Sequence, residues 1–117
     1  MSSSPDSPAP KRQNVPADTN CREKYLAWLE EHCGSPATVR AYVTDLGQFA
    51  AFLEERGADL ARPATITRSL ARAFVADLFS RGTAKQSIAR KLAALRSYTR
   101  FLLRTGVITD DPLAQVA

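Results

Sequence analysis

Apolar residues recur every three or four positions along most of this sequence, and this spacing constrains the fold more than any other feature. The pattern is clearest between Ser35 and Gly57. Serine followed by Pro36 is a typical helix start, because the serine side chain accepts a hydrogen bond from a free amide and proline fits the first helical turn. The apolar positions of this second helix are spaced 3, 4, 3 and 4 residues apart: Val39, Tyr42, Leu46, Phe49 and Leu53.

Three further segments show the same periodicity, and a glycine ends each of them. They are residues 19–33 before Gly34, a third helix capped by Thr67 and ended by Gly82, and a fourth capped by Thr83 that runs to about Thr105 before Gly106. No window alternates apolar and polar residues for long enough to form a strand. The sequence therefore predicts an all-α fold, a compact four-helix bundle.

The helical domain is expected to cover residues 19–107. Residues 1–18 are rich in serine, proline and aspartate, a composition that predicts a disordered tail. Residues 108–117 are expected to begin a linker, because Asp111-Pro112 disfavours continued helix. The longest apolar runs are too short to span a membrane, and the first residues lack the apolar core of a secretory signal.

The cysteines and the histidine predict neither a disulfide nor a metal site. Twelve helical residues would separate Cys21 from Cys33 by roughly 18 Å, whereas a disulfide needs Cα atoms within about 7 Å. His32 is the one histidine in the chain, so a Cys/His metal site lacks ligands. We therefore expect a reduced, cytoplasmic protein with no cofactor, no metal, no membrane association and no small-molecule ligand.

The excess positive charge of the chain lies in one helix. The chain carries 16 basic and 12 acidic residues, and residues 82–106 hold six basic residues and no acid. Each residue of an α-helix is rotated by about 100° around the helix axis from the one before it. If Ile88 is placed at 0°, the polar side chains opposite the apolar face lie between about 120° and 200°. They are Gln86, Arg90, Ser97, Arg100 and Arg104, with Ala93 among them and Ala94 beside them.

This basic face favours DNA binding. A major groove admits an α-helix, arginine and lysine bind phosphates, and glutamine or arginine can pair with base edges. A solvated surface is the alternative, but such surfaces normally intersperse glutamate among the cations. Here Asp77 is the one acid between Arg62 and Arg104.

Two blocks of the sequence resemble the core-binding domain of tyrosine recombinases, within that family most closely the Xer group and phage-type integrases. The first block is SPATVRAY at residues 35–42, DL at 45–46, Phe49 and FL at 52–53. The second is SIARKLAALRSY at residues 87–98, FL at 101–102 and Gly106. Asp111-Pro112 lies where family members commonly have Asn-Pro before their catalytic domain.

The resemblance implies a SAM-like bundle that forms one half of a clamp around double-stranded DNA, with its second and fourth helices facing the major groove. It also implies other recombinase protomers as partners. By position, the DNA contacts implied on the second helix are Thr38, Arg40, Ala41 and Thr44. Those implied on the fourth helix are Lys85, Gln86, Ser87, Arg90, Arg96, Ser97 and Arg100, to which the basic face adds Arg104.

No catalytic residue is predicted in this chain. Recombinases of this family use a tyrosine nucleophile in a second domain, whereas Tyr25, Tyr42 and Tyr98 lie in segments that match the DNA-binding domain. We expect the chain to be the DNA-binding part of such an enzyme. Two alternatives stay open: a stand-alone helical DNA-binding protein, and an adaptor that binds protein through the apolar positions of its second helix.

Overall fold

Four α-helices form the described part of the chain, which in this computed structural model comprises residues 21–114 and residue 116. A single 3₁₀ turn, Pro63–Thr65, lies between the second and third helices. No strand occurs within these residues, which confirms the all-α prediction. The predicted disordered tail, residues 1–18, lies outside the described part. The helices are α1 (Cys21–His32), α2 (Pro36–Glu55), α3 (Arg68–Ser80) and α4 (Lys85–Arg104).

Side-chain caps begin α2 and α3 at the predicted residues. The hydroxyl of Ser35 accepts a hydrogen bond from the amide of Thr38 at 3.4 Å. The hydroxyl of Thr67 accepts one from the amide of Leu70 at 3.1 Å. Each bond satisfies an amide that has no partner within its helix, which is why these helices begin where the sequence predicts.

The predicted cap of α4 is wrong by one residue. Ala84, not Thr83, occupies the cap position, and no side chain caps the helix there. The amide of Thr83 donates instead to the carbonyl of Leu78 at 3.1 Å and so closes the end of α3. Gly82, between α3 and α4, has a φ of 76°, a left-handed conformation that glycine adopts without strain.

The centre of the bundle is formed by α2 and α4, each of which packs against the other three helices. Aromatic rings fill the core between them. Tyr25 of α1 meets Tyr98 of α4 edge to face, with ring centres 5.2 Å apart. Phe49 of α2 packs on Phe74 of α3 at 5.0 Å. The basic helix is therefore held in place from three sides.

The apolar face of α2 is buried within this bundle. Leu46, Phe49 and Leu53 all belong to the core and are almost completely shielded from solvent. They are three of the five apolar positions through which an adaptor helix would bind a partner, and the other two, Val39 and Tyr42, are half-buried. In the folded domain they pack against the chain's own helices instead.

The segment after α4 returns to the bundle. Leu113 is 2% exposed and Val116 4% exposed, and both belong to the core. The guanidinium of Arg96 donates to the carbonyl of Val116. The residues that the sequence predicts to begin a linker thus contact the domain. Within the described ranges, no helix has both the length and the apolarity needed to cross a bilayer.

Candidate nucleic-acid interface

Most of the residues predicted to bind DNA lie on α4, and five of them are exposed on its outer face. Three further predicted residues of this helix, Ser87, Arg96 and Ser97, are half-buried. Ala93 is exposed among them as predicted, but Ala94 is completely buried. Because three helices surround α4, its buried arc is wider than its apolar stripe, and Ala94 falls inside that arc. The exposed predicted residues are Lys85, Gln86, Arg90, Arg100 and Arg104.

One of the six basic residues of α4 points into the bundle. Lys91 is 7% exposed, and its ammonium group donates to Asp45 at 3.0 Å and to Gln48 at 2.6 Å. Both partners belong to α2. Burial of a cation is costly unless it is paired and hydrogen-bonded, as this one is. Lys91 therefore stabilises the packing of α4 on α2 and is not available to a ligand.

Asp45 joins the basic face of α4 to the interior of α2. Its carboxylate is completely buried and also accepts two hydrogen bonds from Arg90. The Nε of Arg90 donates to Oδ2 and Nη2 donates to Oδ1, each at 3.0 Å. These hydrogen bonds to the carboxylate, together with its charge, raise the pKa of Arg90 above its ordinary value. Arg90 is a predicted DNA contact, and the structure binds it on one side to an acid.

The sequence prediction gave Asp45 no role, although the sequence contains a sign of it. Asp45 stands three residues after Tyr42 and four before Phe49, so it lies within the apolar face of α2. An ionised carboxylate at such a position is costly unless a cation pairs with it and donates hydrogen bonds. What the periodicity leaves open is which of the many basic residues supplies that partner.

A groove runs beside the C-terminal half of α4. It has a volume of about 490 Å³ and is bordered by aromatic rings from α1 and α2. Trp28 stacks on His32 at 4.8 Å, and the guanidinium of Arg104 lies over the indole ring at 4.9 Å. The residues that line the groove are Trp28, Tyr42, Ala93, Arg96, Ser97, Arg100 and Arg104.

The cations of this groove are not neutralised within the described chain. Among residues 21–114 and 116, no acidic side chain forms an ion pair with Arg96, Arg100 or Arg104. Within the described part of the chain, the one hydrogen bond from the Arg96 side chain is to a backbone carbonyl, which carries no net charge. Three unpaired positive charges on one helix produce a field that attracts anions.

The structure also gives a partner to Ser97, which is half-buried and lines the groove. Its hydroxyl oxygen accepts a hydrogen bond from the hydroxyl of Tyr25 at 2.8 Å. Burial raises the pKa of Tyr25, with a smaller opposite effect from this hydrogen bond, so the phenol stays protonated and donates. The proton of the Ser97 hydroxyl remains available to an acceptor in the groove. Tyr25 and Tyr98 are core residues, and Tyr42 is half-buried.

The predicted contacts on α2 are less closely grouped. Arg40 and Thr44 are exposed, whereas Thr38 and Ala41 are half-buried. The hydroxyl of Thr44 donates to the carbonyl of Arg40 at 3.0 Å, within its own helix. Arg40 borders a pocket at the junction of α1 and α2 that Glu30 and Glu31 also line. The structure thus brings Tyr42 and Asp45 of α2 to the basic face of α4, but it places Arg40 near acidic residues.

No metal centre is present within the described ranges, because they contain no group of three or more histidine, cysteine, aspartate or glutamate side chains able to hold an ion.

Comparison with known proteins identifies the family. Residues 23–106 match the family model of the phage integrase N-terminal SAM-like domain. The chain is 41% identical over 115 residues to the tyrosine recombinase XerC of Chlorobaculum parvum, covering 90% of this chain and 34% of that protein. Over 95 residues it is 37% identical to XerC of Oceanobacillus iheyensis and 33% identical to XerC of Mycobacterium tuberculosis. Each of these two matches covers 80% of this chain, and they cover 30% and 31% of the relatives.

The chain thus spans about a third of the length of the curated relatives it matches. No solved structure matches it significantly. The family match covers all four helices apart from the first two residues of α1. The resemblance seen in the two sequence blocks is confirmed, and the chain belongs to the phage integrase N-terminal SAM-like domain family, with tyrosine recombinases as its relatives.

Proposed function

We propose that this chain is the DNA-binding N-terminal domain of a site-specific tyrosine recombinase, and that it binds duplex DNA through the outer face of α4. The single observation that carries this proposal is the groove beside α4, in which Arg96, Arg100 and Arg104 have no acidic partner within the described residues. A solvated surface without a binding role would normally intersperse acidic residues among these cations, and α4 contains no acidic residue.

The dimensions of α4 suit a DNA groove. Its 20 residues make it about 30 Å long, and a helix of about 10–12 Å diameter fits the major groove, which is about 12 Å wide. Arg100 and Arg104 are four residues apart and lie on the same side of the helix, about one turn from each other. They can therefore bind successive phosphates along one strand.

The contact between Arg104 and Trp28 supports a phosphate-binding role for this arginine. A guanidinium held over an indole ring loses conformational freedom before it meets a ligand. Binding then requires less ordering of the side chain, which favours affinity. The edges of the guanidinium still carry N–H donors for phosphate oxygens.

The wider assignment follows from the family. A recombination half-site is the DNA target that this role implies, and other recombinase protomers in a synaptic complex are the protein partners. Thr38, Arg40 and Thr44 on α2 are proposed as additional contacts. An adaptor function is disfavoured, because Leu46 and Leu53 of its binding face are buried in the bundle core.

The salt dependence of DNA affinity tests the proposal. Each phosphate contact contributes about 0.9 to the slope of log affinity against log salt concentration, because binding releases condensed counterions. We expect Arg100→Ala and Arg104→Ala each to lower the slope of the wild-type chain on a 24-base-pair duplex by about one unit. The measurement is fluorescence anisotropy of the labelled duplex between about 50 and 200 mM salt.

Arg72→Ala is the matched control, since Arg72 is also an exposed arginine without an acidic partner among the described residues, but it lies on α3. It removes the same charge and should change the slope much less. Circular dichroism should show that all three variants fold, because solvent-facing changes usually alter stability by within about 0.5 kcal/mol. Equal slopes for the wild type and for both α4 variants would refute the proposed interface.

A further inference from the structure

Arg90 differs from the other arginines of α4 in how its donors are used. An arginine carries five N–H donors: one on Nε and two on each terminal nitrogen. Asp45 accepts the Nε–H and one Nη2–H, which occupy one side of the guanidinium. The other Nη2–H and both Nη1–H groups remain. These point away from the carboxylate, and the side chain is 47% exposed.

The remaining donors of Arg90 are held in a fixed direction. The Asp45 carboxylate that fixes them is completely buried, and it accepts a further hydrogen bond from Lys91 at 3.0 Å. Lys91 is held in turn by Gln48. Arg100, by contrast, has no hydrogen bond or ion pair from its side chain to any described residue. Two hydrogen bonds to one carboxylate thus fix the orientation of the Arg90 guanidinium.

The charge balance points the same way. Asp45, Arg90 and Lys91 carry one negative and two positive charges, so the cluster has a net charge of one while Arg90 lies directly against an anion. Arg90 therefore attracts phosphates less strongly than an unpaired arginine. A rigid pair of N–H donors with reduced net attraction is suited to recognising two acceptors at a fixed spacing.

The edge of guanine in the major groove offers such a pair, its O6 and N7 atoms. We propose that Arg90 recognises a guanine base edge in the major groove, and that Asp45 is the positioning residue that directs it there. This inference rests on the proposed DNA-binding function. It assigns sequence recognition to Arg90, whereas Arg100 and Arg104 supply sequence-independent affinity.

Selection from a randomised duplex library tests the inference without a known target. The 117-residue chain is incubated with duplexes that carry a randomised central region of about 12 base pairs, about one helical turn. Bound duplexes are sequenced, and base preferences are calculated at each position. We expect the wild type to favour guanine at one position or more. Arg90→Ala should lose this preference by about 5- to 150-fold at one of them.

The same variant should keep its salt dependence. Arg90→Ala should leave the slope of log affinity against log salt nearly unchanged, in contrast to the decrease of about one unit expected for Arg100→Ala. Arg90→Lys should behave like Arg90→Ala in the selection, because a lysine cannot present two parallel donors from a planar group.

Asp45 is tested with a variant that preserves charge. Asp45→Asn combined with Lys91→Met removes one negative and one positive charge, so the cluster keeps its net charge of one while Arg90 loses its ionised partner. This double variant should still bind DNA but without the guanine preference. Lys91→Met alone is the control, because it retains the Asp45–Arg90 pair and should retain the preference.

The outcomes separate the two proposals. If the wild type binds no duplex, the proposed function fails, and the inference fails with it. If the wild type binds but enriches no guanine, or if Arg90→Ala keeps the preference, the inference alone is refuted. If the folded double variant keeps the preference, Asp45 does not position Arg90. Circular dichroism of each variant establishes that a lost preference is not a lost fold.

Discussion

Replacing Asp45 with asparagine removes a buried negative charge at the junction of α2 and α4. The change preserves the shape of the side chain, so it creates no cavity. It leaves the ammonium group of Lys91, whose side chain is 9% exposed, with the neutral acceptors of Gln48 and the new amide. Arg90 is half-exposed, and water can solvate its guanidinium once the carboxylate is gone. The loss of stability therefore arises mainly at Lys91.

The expected magnitude follows from the burial of this pair. Removing one partner of a buried ion pair typically costs about 3–5 kcal/mol, because the other charge remains buried without compensation. Since Gln48 still accepts a hydrogen bond from Lys91, we expect the lower end, about 3 kcal/mol. Adding Lys91→Met removes the stranded charge while keeping an unbranched apolar chain. The double variant should recover to within about 1 kcal/mol of the wild type, since buried pairs and apolar replacements are often equivalent.

Urea unfolding measures both values. The chain has a single tryptophan, Trp28, whose fluorescence reports on the packing of α1 against α4. With a denaturant slope of about 1.5 kcal/mol per molar, Asp45→Asn should lower the midpoint by about 2 M. Lys91→Met alone serves as the second arm of the cycle. If Asp45→Asn changes the stability by less than about 0.5 kcal/mol, or if the two single effects simply add, the pair is not energetically coupled as the geometry implies.

Two further predictions concern the ends of helices and the segment after α4. Ser35→Ala should lower the free energy of unfolding by about 1 kcal/mol, because it removes the side-chain cap of α2; an unchanged thermal midpoint would show that this cap is unimportant. Leu113→Ala should cost about 2–4 kcal/mol, because Leu113 is buried in the core. Val107→Ala, at a 37% exposed position of the same segment, is its control and should cost less than about 0.5 kcal/mol. Equal, small effects of these last two changes in urea unfolding would mean that the segment does not pack on the bundle in solution.

The sequence by itself determined the features that depend on neighbouring residues. The caps at Ser35 and Thr67 were predictable because each hydroxyl bonds an amide three residues away. The exposure of Arg100 and Arg104 was predictable because helical periodicity assigns each residue to a face. The error at Thr83 has a local cause as well: the chain uses that residue to close α3 before α4 begins.

Only the tertiary structure decided which distant side chains meet. Asp45 is separated from Arg90 by 45 residues and from Lys91 by 46, and no local pattern distinguishes these two cations from the other arginines and lysines. Their roles follow from the packing of α2 on α4, which places Lys91 inside the bundle and Arg90 on the exposed basic face of α4. Ala94 is buried for a related reason, since three helices enclose more of α4 than its own apolar stripe requires. Helix periodicity selects the faces of a bundle, but the packing of those faces selects the partners of each charge.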